Sequence, residues 1–188
     1  AEPGLTAGFD YTSMPHALIN YRNNKFLWTT LDPNIVHGND APSSLNGTSL
    51  ANYWVDRAVG DDNTNPMPTF VGQTISDLFF VRNRLGMISG EQIVISQPAD
   101  YFNFFVNSAV SVSDADPIDM AASDVRPAFI RHVLPIQNGI MLFSEAAQFM
   151  LFTDSEVFGP KTAQIKKMSS YECSSVVPPV DSGTSVVF

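Results

Sequence analysis

Apolar residues along this chain fall into short runs, and the breaks between them carry turn chemistry. Leu78 to Val81, Leu85 to Ile88 and Ile93 to Ile95 are three such runs, separated by Asn83-Arg84 and Ser89-Gly90-Glu91. They predict a meander of antiparallel strands. Phe129 to Leu134, Ile140 to Phe143 and Phe149 to Phe152 form a second set, broken at Gln137-Asn138-Gly139 and Glu145-Ala146-Ala147. Asn-Gly is a strong hairpin signal because its residues adopt the left-handed backbone that tight hairpin turns need. Further short strands are expected near Ala163–Ile165 and Ser185–Phe188. Tyr101 to Phe105 fits either a helical turn or a strand. Helix periodicity is weak throughout.

The amino-terminal third differs. His16 to Ile19 and Lys25 to Thr29 flank Arg22-Asn23-Asn24 and read as a hairpin. Residues 32–52 are rich in Pro, Asn, Gly and Ser and predict a long loop, and Gly60 to Pro68 predicts a second. This divides the chain into a loop-rich β segment over 1–70 and a β-meander over 71–188.

The side chains along the strands sharpen the architecture. Leu78 and Phe80 point to one face of their strand, Phe79 and Val81 to the other. Ile140/Leu142 against Met141/Phe143, and Phe149/Leu151 against Met150/Phe152, repeat the pattern. Strands apolar on both faces belong to sheets covered on both sides, as where propeller blades stack or subunits close over a sheet. The expected fold is all-β: antiparallel meanders forming part of a β-propeller, with long loops and few helices.

Composition narrows the function. The 188 residues are long enough to bury a core, and 44% hydrophobic content with 14 Phe excludes a disordered acidic tail. Nineteen acids against ten Lys and Arg, a net charge of −9, argue against a dedicated nucleic-acid binder. The nearest basic cluster, Lys161, Lys166 and Lys167, lacks interleaved aromatics and reads as a solvated strand edge or loop. Cys173 is the sole cysteine, so no internal disulfide forms, and it is expected to be buried or half-buried. No run of 18 apolar residues could span a membrane. The Ala at position 1 and the apolar Ser185 to Phe188 give the expectation of a fragment of a longer polypeptide.

Chemistry finds little purchase. Asp61, Asn63 and Asn65 imitate the start of a calcium loop, but its Gly and Glu positions hold Pro66 and Gly72, so a solvated turn is expected. Asp114, Asp116 and Asp119 could bind a hard cation or supply an acid/base pair. Asp116 before Pro117 fits better as the cap of a helix or turn. Ser89 lacks the glycine spacing of a nucleophile elbow. His16, His37 and His132 show no metal-ligand spacing, and His132 reads as an ordinary strand residue. Asn46-Gly47-Thr48 matches a glycosylation sequon without a secretory signal beside it. No residue is assigned a catalytic, cofactor-binding or metal-ligating role, and no cofactor is expected.

Three blocks resemble the tail nozzle (tail tubular protein B) family of short-tailed, T7-like bacteriophages. Ile75 to Glu91, containing Phe79-Phe80 and Arg82-Asn83-Arg84-Leu85-Gly86, runs on to Tyr101-Phe102-Asn103-Phe104-Phe105. Asp114 to Ala122 carries Asp116-Pro117-Ile118-Asp119. Leu142-Phe143-Ser144 continues through Gln148-Phe149 to Pro160-Lys161-Thr162. Smaller matches are Ser13-Met14-Pro15, Asp56 to Asp61, Asn65-Pro66 and Tyr171-Glu172, so the resemblance covers essentially the whole chain. Residues 32–52 are longer than the pattern, and Arg126-Pro127 interrupts it. The resemblance implies a structural virion component of the tail: a homo-hexameric ring beneath the adaptor ring (tail tubular protein A), forming the distal DNA-ejection channel and anchoring tail fibres. Duplex DNA would pass through an acidic lumen without specific binding, because phosphate neutralisation is what makes DNA binding tight. The rival expectation is a glycan-binding or glycan-cleaving tail domain using Asp114, Asp116 or Asp119, which would need two carboxylates facing across a cleft.

Overall fold

The computed structural model describes residues 8–20, 25–35, 52–183 and 185–188. The predicted turn Arg22-Asn23-Asn24, most of the 32–52 loop, His37 and the Asn46-Gly47-Thr48 sequon lie outside these residues. Among the described residues every regular element is a β-strand. Two compact units are present, Ala1–Ala58 and Val59–Phe188.

In the first unit, β1 (Ala17–Asn20) and β2 (Phe26–Thr29) pair antiparallel, with Leu18 opposite Trp28, as the two apolar runs predict. Phe9, Met14, Leu31 and Trp54 form its buried centre. The Trp54 indole N–H donates to the Pro15 carbonyl at 3.2 Å, and its ring meets Phe9 edge-on. Asp56 ties down the start of the unit, accepting the Phe9 N–H and the Tyr11 hydroxyl. Burial together with that carboxylate pushes the Tyr11 phenol well above its ordinary range.

The second unit contains two four-stranded antiparallel sheets, each built from consecutive strands. The first runs β3 (Asp77–Val81), β4 (Arg84–Ser89), β5 (Gln92–Ile95), β6 (Ile118–Ala121). The second runs β7 (Ile130–Ile136), β8 (Gly139–Ser144), β9 (Gln148–Phe152), β10 (Gln164–Ser169). A short pair follows, β11 (Val180–Asp181) with β12 (Val186–Val187). All six apolar runs of the two sets are strands. β6 carries no comparable run, because Asp119 interrupts Ile118 and Met120.

One continuous core lies between the sheets. Phe79, Ile88, Ile93, Ile95 and Ile118 from the first meet Ile130, Ile140, Leu142, Phe149 and Leu151 from the second. Register explains the selection: Phe79, Gly86, Ile95 and Ile118 stand opposite one another across four strands and share a face. The leading strands β3 and β7 lie together, and the Asp77 carboxylate accepts the Val133 N–H at 2.9 Å between them.

Four expectations need correction. Leu78 and Phe80 are 56% and 63% exposed, so β3 is covered on one face only, whereas all six residues of β4 are buried. Tyr101 to Phe105 is neither helix nor strand. Its backbone is held by side chains: Gln97 Nε2 donates to the Phe105 carbonyl, and the Val106 N–H donates to Asn65 Oδ1. In the β7–β8 hairpin the two turn residues are Gln137-Asn138, since Ile136 pairs with Gly139. In the β3–β4 hairpin they are Arg82-Asn83, not Asn83-Arg84; both are left-handed (φ 43° and 61°), as a primed two-residue turn demands.

Candidate functional site

The Arg82-Asn83-Arg84-Leu85-Gly86 block builds a joint between the two meanders. Asn83 tolerates the left-handed backbone of the turn. That turn reverses the chain so that Arg84, on the inward face of β4, points beneath the loops. Arg84 is 2% exposed, and its guanidinium donates to four backbone carbonyls. Nη1 reaches Ser96 at 2.9 Å and Asp116 at 2.8 Å; Nη2 reaches Asp114 at 2.6 Å and Phe158 at 3.2 Å. Three stretches of chain, one of them the loop after β9, are therefore gathered on one side chain. A planar fork of donors suits this task, and a lysine ammonium does not. Burial pulls the guanidinium down from its ordinary range, and the Asp116 carboxylate opposes that shift.

Neighbouring groups close the joint. Arg82 donates to the Glu156 carbonyl at 2.9 Å and lies 6.0 Å from the Phe158 ring centre. Lys161 Nζ donates to the Val112 carbonyl. Gly159 passes so close that a Cβ there would sit 2.7 Å from the Asp114 carbonyl oxygen. Gly86 serves the core beneath: the Phe79 ring from the opposite strand covers it, and a Cβ would fall 2.2 Å from that ring. The β4–β5 turn makes the second tie. Glu91 Oε1 accepts the Ala128 N–H at 2.6 Å, its carbonyl accepts the Ala122 N–H, and the Gly90 carbonyl accepts the Ile130 N–H. The connection from β6 to β7 is thereby bound to a hairpin of the first sheet.

The acids of the Asp114–Asp119 cluster take separate tasks. Asp114 contributes its carbonyl to Arg84. Asp116, 1% exposed, accepts the Ser113 N–H at 2.7 Å and the Asn107 N–H at 3.4 Å, and so caps a turn. Of the two alternatives expected for Asp116, helix cap or turn cap, the turn is the one present, and β6 follows Pro117. Asp119 accepts both the N–H and the hydroxyl of Thr69. Asp61 Oδ1 accepts the N–H groups of Asn63 and Thr64, which makes the predicted solvated turn. No group of three or more His, Cys, Asp or Glu gathers as a metal site would among the described residues.

Two clefts indent the second unit. One, of about 560 Å³, opens between the ends of β3 and β7 and is lined by Phe80, Arg82, Ile136 and Phe152, with Asp154 its one carboxylate. The other, of about 540 Å³, is lined by Thr69, Gln73, Ser89, Gln92 and Phe129 and has none. Asp114, Asp116 and Asp119, the carboxylates of the glycan-cleaving expectation, line neither of these two clefts.

The remaining expected residues are placed simply. Lys166 and Lys167 lie on edge strand β10, as the solvated-edge reading predicts, and Lys167 pairs with Asp124 at 2.6 Å. His132 is a β7 residue opposite Phe143. Cys173 is half-buried, and burial raises its thiol. Sequence reasoning missed the clasping role of Arg84 and the lock at Gln148. The latter is fully buried, donating to the Tyr171 carbonyl and accepting from the Ser169 hydroxyl. A charged or amide side chain opening an otherwise largely apolar strand was the available signal for both.

Comparison with known proteins adds two findings. Residues 1–188 match a family described as bacteriophage nozzle protein. The tail tubular protein gp12 of Escherichia phage T7 is 35% identical over 178 residues. That match covers 95% of this chain, which spans only 20% of the relative's length.

Proposed function

The chain belongs to the bacteriophage nozzle family, and from that premise we propose that it is a structural segment of the tail nozzle of a short-tailed phage. It resides in the virion tail and works mechanically, without catalysis. The observation that carries this reading is where the family-like blocks fall. Arg82 to Gly86, Gly90-Glu91, Asp116 and Asp119 each hold one segment of backbone to another. Residues spent on locking loops fit a part that must keep its shape under load.

The two meanders are read as two blades of a β-propeller. Each has four consecutive strands in spatial order, the leading strands β3 and β7 lie together, and the sheets share one core. In the virion six copies form a ring against the adaptor ring and tail fibres, and duplex DNA passes through without specific binding. The net charge of −9 supports the last point. Fluorescence anisotropy with a labelled duplex tests it: no binding is expected near 0.15 M salt, and weak binding at low salt should fall steeply as salt rises. Nanomolar affinity at the higher salt refutes the passive channel.

A further inference from the structure

The outer face of the first meander is covered over β4 and β5 and exposed over β3. On that face Leu78 and Phe80 stand opposite Met87 and Leu85, and Met87 stands opposite Val94. Leu85, Met87 and Val94 are buried, whereas Leu78 and Phe80 are more than half exposed. The chain covers part of this face itself: Asp119, opposite Val94, holds Thr69 and with it the segment that precedes β3. Towards β3 the cover thins to Tyr101, which meets Phe80 edge-on at 5.5 Å and donates its hydroxyl to Asn83. No charged residue stands on this face of β3, whose one charge, Asp77, points to the other face.

We infer that the outer face of β3, together with Tyr101, is the seat of a further β-sheet of the same polypeptide, apolar on the side it presents. This rests on the blade reading and extends it to a named surface. Two observations select the occupant. The inner face of this same meander is covered by the chain's second meander through matching aliphatic and aromatic residues, so the chain already shows sheet covering sheet. The chain spans only 20% of its T7 relative's length, so family polypeptides contain ample further chain to supply such a sheet.

The test uses the full-length nozzle polypeptide carrying this segment, with Leu78→Thr and Phe80→Thr combined, and a control combining Val110→Thr and Val125→Thr at fully exposed loop positions. The double change in β3 should lower the melting temperature of the unassembled polypeptide by about 2 °C or more, and the control should leave it unchanged. An unchanged melting temperature for the β3 variant overturns the inference. Destabilisation seen only after ring assembly also overturns it, because the occupant is then a second copy. An electron cryo-microscopy map of the unaltered assembly provides the independent readout. Leu78 and Phe80 buried under a sheet of their own chain support the seat, even if the sheets do not close around an axis, in which case the blade reading alone fails. Solvent or loops over these side chains refute the seat and leave the blade reading to be judged by sheet count.

Discussion

Arg84 offers the most decisive perturbation. Replacing it with Met retains much of the apolar stem and removes the donors that serve the carbonyls of Ser96, Asp114, Asp116 and Phe158. A hydrogen bond to a charged group contributes about 1.5–3 kcal/mol, and an acceptor left buried and unpaired costs about 1–3 kcal/mol. Four such terms are not additive, since the loops relax and admit water. Breaking a buried charge network by removing one partner costs about 3–5 kcal/mol, and we expect Arg84→Met to fall in that range. Arg84→Lys keeps the charge but cannot span four carbonyls, and should lose about half as much. The comparison is Arg82→Met, two residues away: that side chain is exposed and makes a single carbonyl bond, so the loss should stay below about 1 kcal/mol. Equilibrium urea denaturation measures all three. Against a typical domain stability of about 5–15 kcal/mol, the Arg84→Met loss is a large fraction. If Arg84→Met unfolds within about 0.5 kcal/mol of the parent, the four-carbonyl clasp is not what holds the joint.

Three further outcomes are expected. Gly86→Ala should destabilise by about 1–3 kcal/mol, because the new Cβ meets the buried Phe79 ring; combining it with Phe79→Leu should relieve part of that loss, read as a coupling energy in a double-mutant cycle. Asp119→Ala should cost on the order of 1 kcal/mol through loss of the Thr69 bonds, and added calcium should leave the parent's melting temperature unchanged; a calcium-dependent rise would restore the metal reading. The third is set by pH. The Lys167 bond, with the Val125 N–H, holds the Asp124 carboxyl below its ordinary range, so its contribution is complete above the unfolded value near pH 4 and fades as pH falls through the lower folded value. The urea midpoint should drop in that acid range, and Asp124→Asn should flatten the drop; identical pH profiles would remove the pair from the account.

Much of this architecture was legible because strand formation leaves a local trace. The short apolar runs and the breaks at Ser89-Gly90-Glu91 and Glu145-Ala146-Ala147 were enough to mark seven of the eight meander strands, and three blocks, of which Arg-Asn-Arg-Leu-Gly belongs to the strongest, were enough to place the chain near its family. β6 escaped because Asp119 spends an outward position on Thr69, which lies 50 residues away. The aromatic run Tyr101 to Phe105 escaped for a related reason: Phe105 bonds through its carbonyl to Gln97 and through its N–H to Asn103, and Val106 just after it bonds to Asn65, instead of to a ladder. No window of local pattern contains Thr69 together with Asp119, or Asn65 together with Val106.

The sequence by itself determined the class of the fold and the order of its strands, since these depend on short apolar runs and on the turn residues between them. Only the tertiary structure decided what the polar residues do. Arg84, Asp116 and Asp119 look alike to composition as scattered charges, yet they become a clasp, a turn cap and a strap, because a hydrogen bond is set by distance and direction between groups far apart in the chain. The structure likewise decided which face of β3 is covered: apolar side chains state that burial is favourable, and only the neighbouring sheets determine where it occurs.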